Sequence, residues 1–197
     1  LPDPPIASIG YQASIVITPQ QEADMDIKAT LNNLLIPYTS NYAGTLLPGI
    51  REYTVTPGEK TTTISGKGKA GLKQEENYYF FYLPVCYKGI TGKSYAYYNT
   101  SRSKNLYLPA SVDENYSYDI QLPENLTLCT PIQEKKIDNP IGSFKITLTS
   151  EGSSLHIELA LQIKKQLITP AEYPAFRSLI TEWTDRTRKP ILFKTVQ

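Results

Sequence analysis

Residues 168–197, ITPAEYPAFRSLITEWTDRTRKPILFKTVQ, decide how the rest of the chain is read. Thr169, Pro170, Ala171 and Glu172 spell a capping box with proline at the first helical position. Tyr173, Phe176, Leu179, Ile180 and Trp183 then fall on one arc of a helix turning about 100° per residue, which predicts a helix over 170–184. Asp185-Arg186-Thr187-Arg188 reads as a polar break. Pro190 then opens a short apolar strand, Ile191-Leu192-Phe193, closing the chain over 190–195. Everything upstream reads as strand, so this one amphipathic helix is expected to seal a sheet.

Working back from that ending, residues with a period of two recur throughout. Tyr11, Ala13, Ile15 and Ile17 share one side of a strand over 11–18, and Met25, Ile27, Ala29 and Leu31 share one side of another over 25–31. Pro19-Gln20-Gln21 between them predicts a hairpin. Two shorter strands, 51–56 and 61–65, flank the turn dipeptide Pro57-Gly58. Tyr116, Tyr118, Ile120 and Leu122 alternate, as do Phe144, Ile146 and Leu148. After Glu151-Gly152 the longest alternating strand carries Leu155, Ile157, Leu159, Leu161 and Ile163. Strict alternation places one face against a core and the other toward water. The aromatic run Tyr78-Tyr79-Phe80-Phe81-Tyr82-Leu83-Pro84 instead reads as a strand covered on both faces. Short strands at this spacing predict an all-β, mainly antiparallel β-sandwich with one short C-terminal helix. Residues 1–77 read as an N-terminal β-rich region, either its own small sandwich or part of a shared one. Residues 78–197 read as a C-terminal sandwich with the helix.

Composition agrees with strands. The chain has fifteen Tyr against five Phe and one Trp, and fifteen Pro and eleven Gly for turns. Its 20 basic and 19 acidic side chains leave a net charge of +1, without the basic stripe that a nucleic-acid partner leaves. No stretch reaches the roughly 18 apolar residues of a membrane-spanning helix. No secretory-leader pattern is visible either. The opening Leu1-Pro2-Asp3-Pro4-Pro5 reads as a linker, so a fragment of a longer or processed chain is expected.

Several motifs carry possible chemistry, and each has a plainer reading. Gly66-Lys67-Gly68-Lys69-Ala70-Gly71 matches G-x-G-x-x-G, but a dinucleotide site needs this loop at the mouth of a helix. Only six residues separate it from the aromatic strand, so a flexible strand connection with two solvated lysines is expected. His156, the one histidine, has the parity of Glu158 and should face the polar side. No nucleophile and orienter accompany it in a recognisable pattern, so no catalytic residue is assigned. His156, Cys86 and Cys129 lack metal-ligand spacing. Glu22, Asp24 and Asp26 share a strand face, yet a hard cation wants 6–8 oxygens, so a wet acidic face is expected there and no metal or cofactor. Pairing of Cys86 with Cys129 would require an oxidising compartment and Cα atoms within about 7 Å, and stays open. Tyr95, Tyr97 and Tyr98 lie in a polar stretch and offer a stacking platform for a glycan or peptide, against core packing as the alternative.

The second half resembles a known family. The residues that carry the likeness are Phe81-Tyr82-Leu83-Pro84, Arg102 before Leu106-Tyr107-Leu108-Pro109, and Asp113-Glu114-Asn115-Tyr116-Ser117-Tyr118. Leu122-Pro123-Glu124, Asn139 with Gly142-Ser143, and Ile168 to Arg177 through Trp183 to Lys194 complete it. Their order, over about residues 78–194, is similar to the C-terminal β-domain of exported transglutaminase-like proteins of Gram-negative bacteria. Those proteins place a β-sandwich domain first, a papain-like transglutaminase core second and this β-rich region last. The resemblance implies a non-catalytic accessory domain, partnered by an upstream catalytic domain of the same polypeptide and located in the periplasm or at the cell surface. It transfers no role to Cys86, Cys129 or His156, because the family's Cys, His and Asp belong to the upstream core.

Overall fold

The computed structural model describes residues 6–32, 46–47, 49–86 and 101–196. Alternating apolar positions form strands, as the sequence predicts, and the class is all-β with one C-terminal helix. Strands β1 (Ile6–Ile17), β2 (Glu22–Asn32), β3 (Ile50–Pro57) and β4 (Thr61–Gly71) come first. The short β5 (Lys73–Glu75), β6 (Tyr78–Phe81) and β7 (Leu106–Tyr107) follow. Then come β8 (Ser111–Gln121), β9 (Leu126–Leu128), β10 (Gln133–Asn139), β11 (Gly142–Glu151) and β12 (Ser154–Ile163). The chain ends with β13 (Leu167–Ile168), helix α1 (Tyr173–Arg188) and β14 (Ile191–Thr195).

An eight-stranded sheet runs in the order β10-β11-β12-β8-β1-β2-β4-β3, and a four-stranded sheet in the order β5-β6-β14-β9. The expected hairpin is present. Gln21 takes the left-handed conformation (φ 59°), and its N–H reaches Thr18 O at 2.9 Å. β1 starts well before Tyr11 because its first residues pair in parallel with β8, from Ile6 opposite Ser111 to Val16 opposite Gln121. Strands from both halves of the sequence therefore share one hydrogen-bonded sheet.

The inner face of that sheet buries the alternating sets, Tyr11 to Ile17, Met25 to Leu31, Tyr116 to Leu122 and Leu155 to Ile163. Tyr79, Phe81, Leu126, Ile191 and Phe193 of the small sheet enter the same buried cluster, as do Tyr173, Phe176, Leu179, Ile180 and Trp183 of α1. α1 rests on β11 and β12. Asn139 Nδ2 donates to Ala175 O at 3.0 Å, and Lys135 pairs with Glu182 at 2.5 Å.

Three local expectations are corrected. The helix spans Tyr173–Arg188 and not 170–184. The capping-box bonds do form, Thr169 N–H to Glu172 Oε2 at 3.1 Å and Glu172 N–H to Thr169 Oγ1 at 3.4 Å, but they close a turn just ahead of the helix. The polar residues 185–188 continue the helix, since Thr187 Oγ1 bonds Trp183 O and Lys189 pairs with Asp185 one turn back. Pro190 ends it by forcing Lys189 into an extended conformation, ψ 131°.

Gly66–Gly71 is not a connection but the second half of β4, paired with β2 throughout. Glycine is needed there because β3, irregular between Ile50 and Glu52, crowds β4. A Cβ on Gly66 would lie 2.1 Å from Glu52 O, and one on Gly68 would lie 2.3 Å from Gly49 O.

The aromatic run is not covered on both faces. β6 stops at Phe81 and alternates, with Tyr78 and Tyr82 exposed. Tyrosine tolerates that position because its ring can meet a cation, and Lys194 and Lys73 lie 5.9 Å and 5.2 Å from these ring centroids.

Trp183 is fully buried. Trp183→Ala is expected to cost about 3–5 kcal/mol in denaturant unfolding, and a loss below about 1 kcal/mol would show that the ring is not a core element. Gly66→Ala should strip hydrogen-exchange protection from the β3 amides while β1, β8 and β12 stay protected; unchanged protection in β3 would contradict the close approach.

Candidate functional site

The outer face of the eight-stranded sheet is polar, and the strand registers align its side chains in rows. Lys67, Asp26, Ser14, Asp119 and His156 form one row across β4, β2, β1, β8 and β12. Lys69, Asp24, Val16, Gln121 and Ser154 form the next. Val16, 51% exposed, is the apolar residue between two open depressions. One, of about 370 Å³, is lined by Asp119, Gln121, Thr149 and His156; the other, of about 610 Å³, by Asp24, Asp26, Arg51 and Lys67. Ser14 and Val16 border both.

His156 faces the polar side, as its parity predicts. Its Nδ1 lies 2.7 Å from Asp119 Oδ1 and its Nε2 lies 3.4 Å from Glu158 Oε1. Lys145 Nζ donates to Glu158 Oε2 at 3.1 Å. The hydrogen bond to Asp119 raises the imidazole pKa, partial burial opposes it, and Glu158 adds to the rise. Glu158 is lowered, first by Lys145 and then by His156. Flanking carboxylates favour the charged form of the ring over the neutral one. The nearby Ser154 hydroxyl donates to Gln121 Oε1 at 2.9 Å and not to this ring. These side chains form a charge ladder across the outer face, in which Asp119 and His156 are paired across β8 and β12.

On the opposite face lies an aromatic cluster. The Tyr11 ring centroid lies 5.1 Å from that of Tyr116 and 5.8 Å from that of Tyr118, and Tyr116 lies 5.6 Å from Trp183. Tyr118 OH donates to Pro84 O at 2.7 Å, and Tyr116 OH donates to Glu114 Oε2 at 3.0 Å. Burial, and then Glu114, hold the Tyr116 phenol well above its ordinary range. Burial does the same to Tyr118 and Tyr11, with Cys86 adding to the rise at Tyr11. Glu114 is a buried carboxylate that the sequence reading missed. The signal was available, since Glu114 stands two residues before Tyr116 and shares its parity.

Neither cysteine is in a disulfide; Cys86 is buried in the inner cluster and Cys129 is half-buried. Asp24 of the acidic strand face pairs with Lys69 at 3.1 Å. No group of three metal-ligating side chains occurs among the described residues.

Comparison with known proteins fits this architecture. The family profile of a domain of unknown function with a solved structure, DUF3858, matches residues 77–193. The chain belongs to the DUF3858 family. A search of curated proteins gave no match. Among solved structures, the fold is similar to that of a "putative protease" from Parabacteroides distasonis, with a TM-score of 0.54 and 22% identity. That alignment covers 87% of this chain and 35% of the other, so this chain spans about a third of the longer protein.

In this DUF3858 chain the outer charge ladder and the inner aromatic cluster are separated by the thickness of one sheet. Tyr95, Tyr97 and Tyr98, the sequence-based candidates for a ligand platform, lie outside the described residues.

Because the folded pKa of His156 lies above its ordinary 6.5, its contribution to stability is fully present below about pH 6.5 and is lost as pH rises through the folded value. An NMR titration of the His156 ring should give a midpoint above 6.5, with Asp119→Asn bringing it down. A wild-type midpoint at or below 6.5 would exclude the Asp119–His156 pair in solution.

Proposed function

We propose that this DUF3858 chain is a non-catalytic accessory domain of a larger, exported, transglutaminase-like protein. In this reading it packs against, and positions, a cysteine-peptidase-type core in the periplasm or at the cell surface. The observation that carries it is the fold correspondence, in which nearly the whole chain matches about a third of a longer protease-like protein.

The disposition of reactive side chains supports the same reading. Cys86 is buried in the inner cluster that also holds Tyr11 and Tyr116, whereas His156 is held by carboxylates on the outer side. A cysteine–histidine pair needs both side chains within hydrogen-bond reach, and the sheet stands between these two. The depressions on the outer face are open and lined by ions of both signs, which suits contact with another protein surface better than enclosure of a reacting group.

Calorimetric titration of this chain with the transglutaminase-like region of its parent polypeptide tests the proposal. Saturable heat with co-elution of the two is expected. No heat and no co-elution would overturn the reading of a docked domain.

A further inference from the structure

At the β10 edge of the large sheet, an open cavity of about 430 Å³ lies beside the first turns of α1. Arg102, Arg177, Tyr173, Ile137, Pro170 and Pro174 are among the residues lining it. The Arg102 guanidinium carbon sits 5.8 Å from the centroid of the buried Tyr173 ring. A guanidinium over a ring face keeps its N–H edge available to an acceptor. Arg177 lies one helical turn after Tyr173 on the solvent side of α1. The acidic residue in the lining, Glu182, is neutralised by Lys135 at 2.5 Å. Neither arginine has an ion-pair partner among the described residues. Two guanidinium groups without an ion-pair partner among the described residues therefore border one cavity, to which Ile137, Pro170 and Pro174 add apolar lining.

We propose that this cavity binds the carboxylate of an acidic peptide through Arg102 and Arg177. The guanidinium fork matches a carboxylate in two parallel hydrogen bonds. Ile137, Pro170 and Pro174 offer apolar surface to the residues beside the acid. A phosphate group is favoured by a cradle of free backbone N–H groups, and the amides leading into α1 are spent. Tyr173 N–H bonds Thr169 O, and the N–H groups of Ala175 and Phe176 bond Glu172 O. An acidic sugar would stack on an exposed ring, whereas Tyr173 is buried beneath Arg102. The inference stands apart from the docking proposal, because a short peptide reports on the cavity whether or not the chain binds a catalytic core.

The test is a titration of the whole chain with the blocked peptide Ac-Glu-Val-Glu-NH2, followed by calorimetry and by the arginine side-chain Nε–H signals in NMR. Saturable binding that shifts the Arg102 and Arg177 signals is expected, with Ac-Gln-Val-Gln-NH2 at least about tenfold weaker. Arg102→Ala and Arg177→Gln should each weaken binding by about tenfold. Arg177→Gln changes an exposed helix position, so it keeps the result decisive should Arg102→Ala fold poorly. No saturable shift, equal binding of the glutamine peptide, or unchanged affinity in Arg177→Gln would overturn the proposal. Inorganic phosphate or galacturonate binding as tightly as the acidic peptide would overturn the assignment to a peptide.

Discussion

The parallel ladder between β1 and β8 is the constraint on which the rest of this structure depends. It joins the N-terminal hairpin to the C-terminal strands, and all eleven of its registered pairs link residues distant in sequence. Bringing such remote segments together costs loop-closure entropy before any contact is gained. The inner side of the ladder supplies a compensating contact. Tyr11 stands opposite Tyr116 and Ala13 opposite Tyr118, so the three tyrosine rings meet where the two halves join. Aromatic pairs at these separations contribute about 0.5–1.5 kcal/mol each beyond simple burial.

The helix completes that junction. Trp183 extends the ring cluster from the sheet to α1, which also covers β11 and β12. Local chemistry delivers α1 to this place. The Thr169–Glu172 box and its turn lead the chain off β13, and the Glu172 carboxyl is lowered to about 2 by Lys165, then by the Thr169 backbone N–H and hydroxyl. Pro190 then stops the helix where β14 must enter between β6 and β9. The cluster also carries a cost. Tyr11 OH and Trp183 Nε1 are buried without hydrogen-bond partners among the described residues, and an unsatisfied buried polar group costs about 1–3 kcal/mol.

How far the sequence could be read follows from which forces were local. Parity alone placed Tyr116, Tyr118, Leu155 and Ile157 inside and His156 and Glu158 outside, because a strand has no third side. The amphipathic arc of α1 was legible for the same reason. The parallel pairing of β1 with β8 was not, since alternation says which face is buried and nothing about which strand lies alongside. The glycines of β4 misled because their cause is a neighbour, the close approach of Glu52, that local pattern cannot reveal. Glu114 was overlooked because acidic residues are ordinarily solvated, and only its parity with Tyr116 gave it away. The Arg102–Tyr173 contact joins residues far apart in the chain and left no local mark at all.

Those limits bear on where function can sit in such a fold. Where the inner face is filled by aromatic rings and α1 it has no room for a ligand, and it opens only toward its β10 edge, where Ile137 lines the cavity. On the opposite face Lys69 pairs with Asp24, Lys145 with Glu158 and His156 with Asp119. A paired ion offers less to a ligand than an unpaired one, because the existing bond must first be broken. The proposed recognition site lies where the sheet ends and the helix begins, and where charge has no ion-pair partner among the described residues. The cavity of Arg102 and Arg177 meets both conditions. Its arginines come from the segment before β7 and from α1, two stretches far apart in the chain that meet at one cavity. In this chain the C-terminal helix would then serve two purposes with opposite faces, closing the hydrophobic cluster with Trp183 and presenting charge with Arg177.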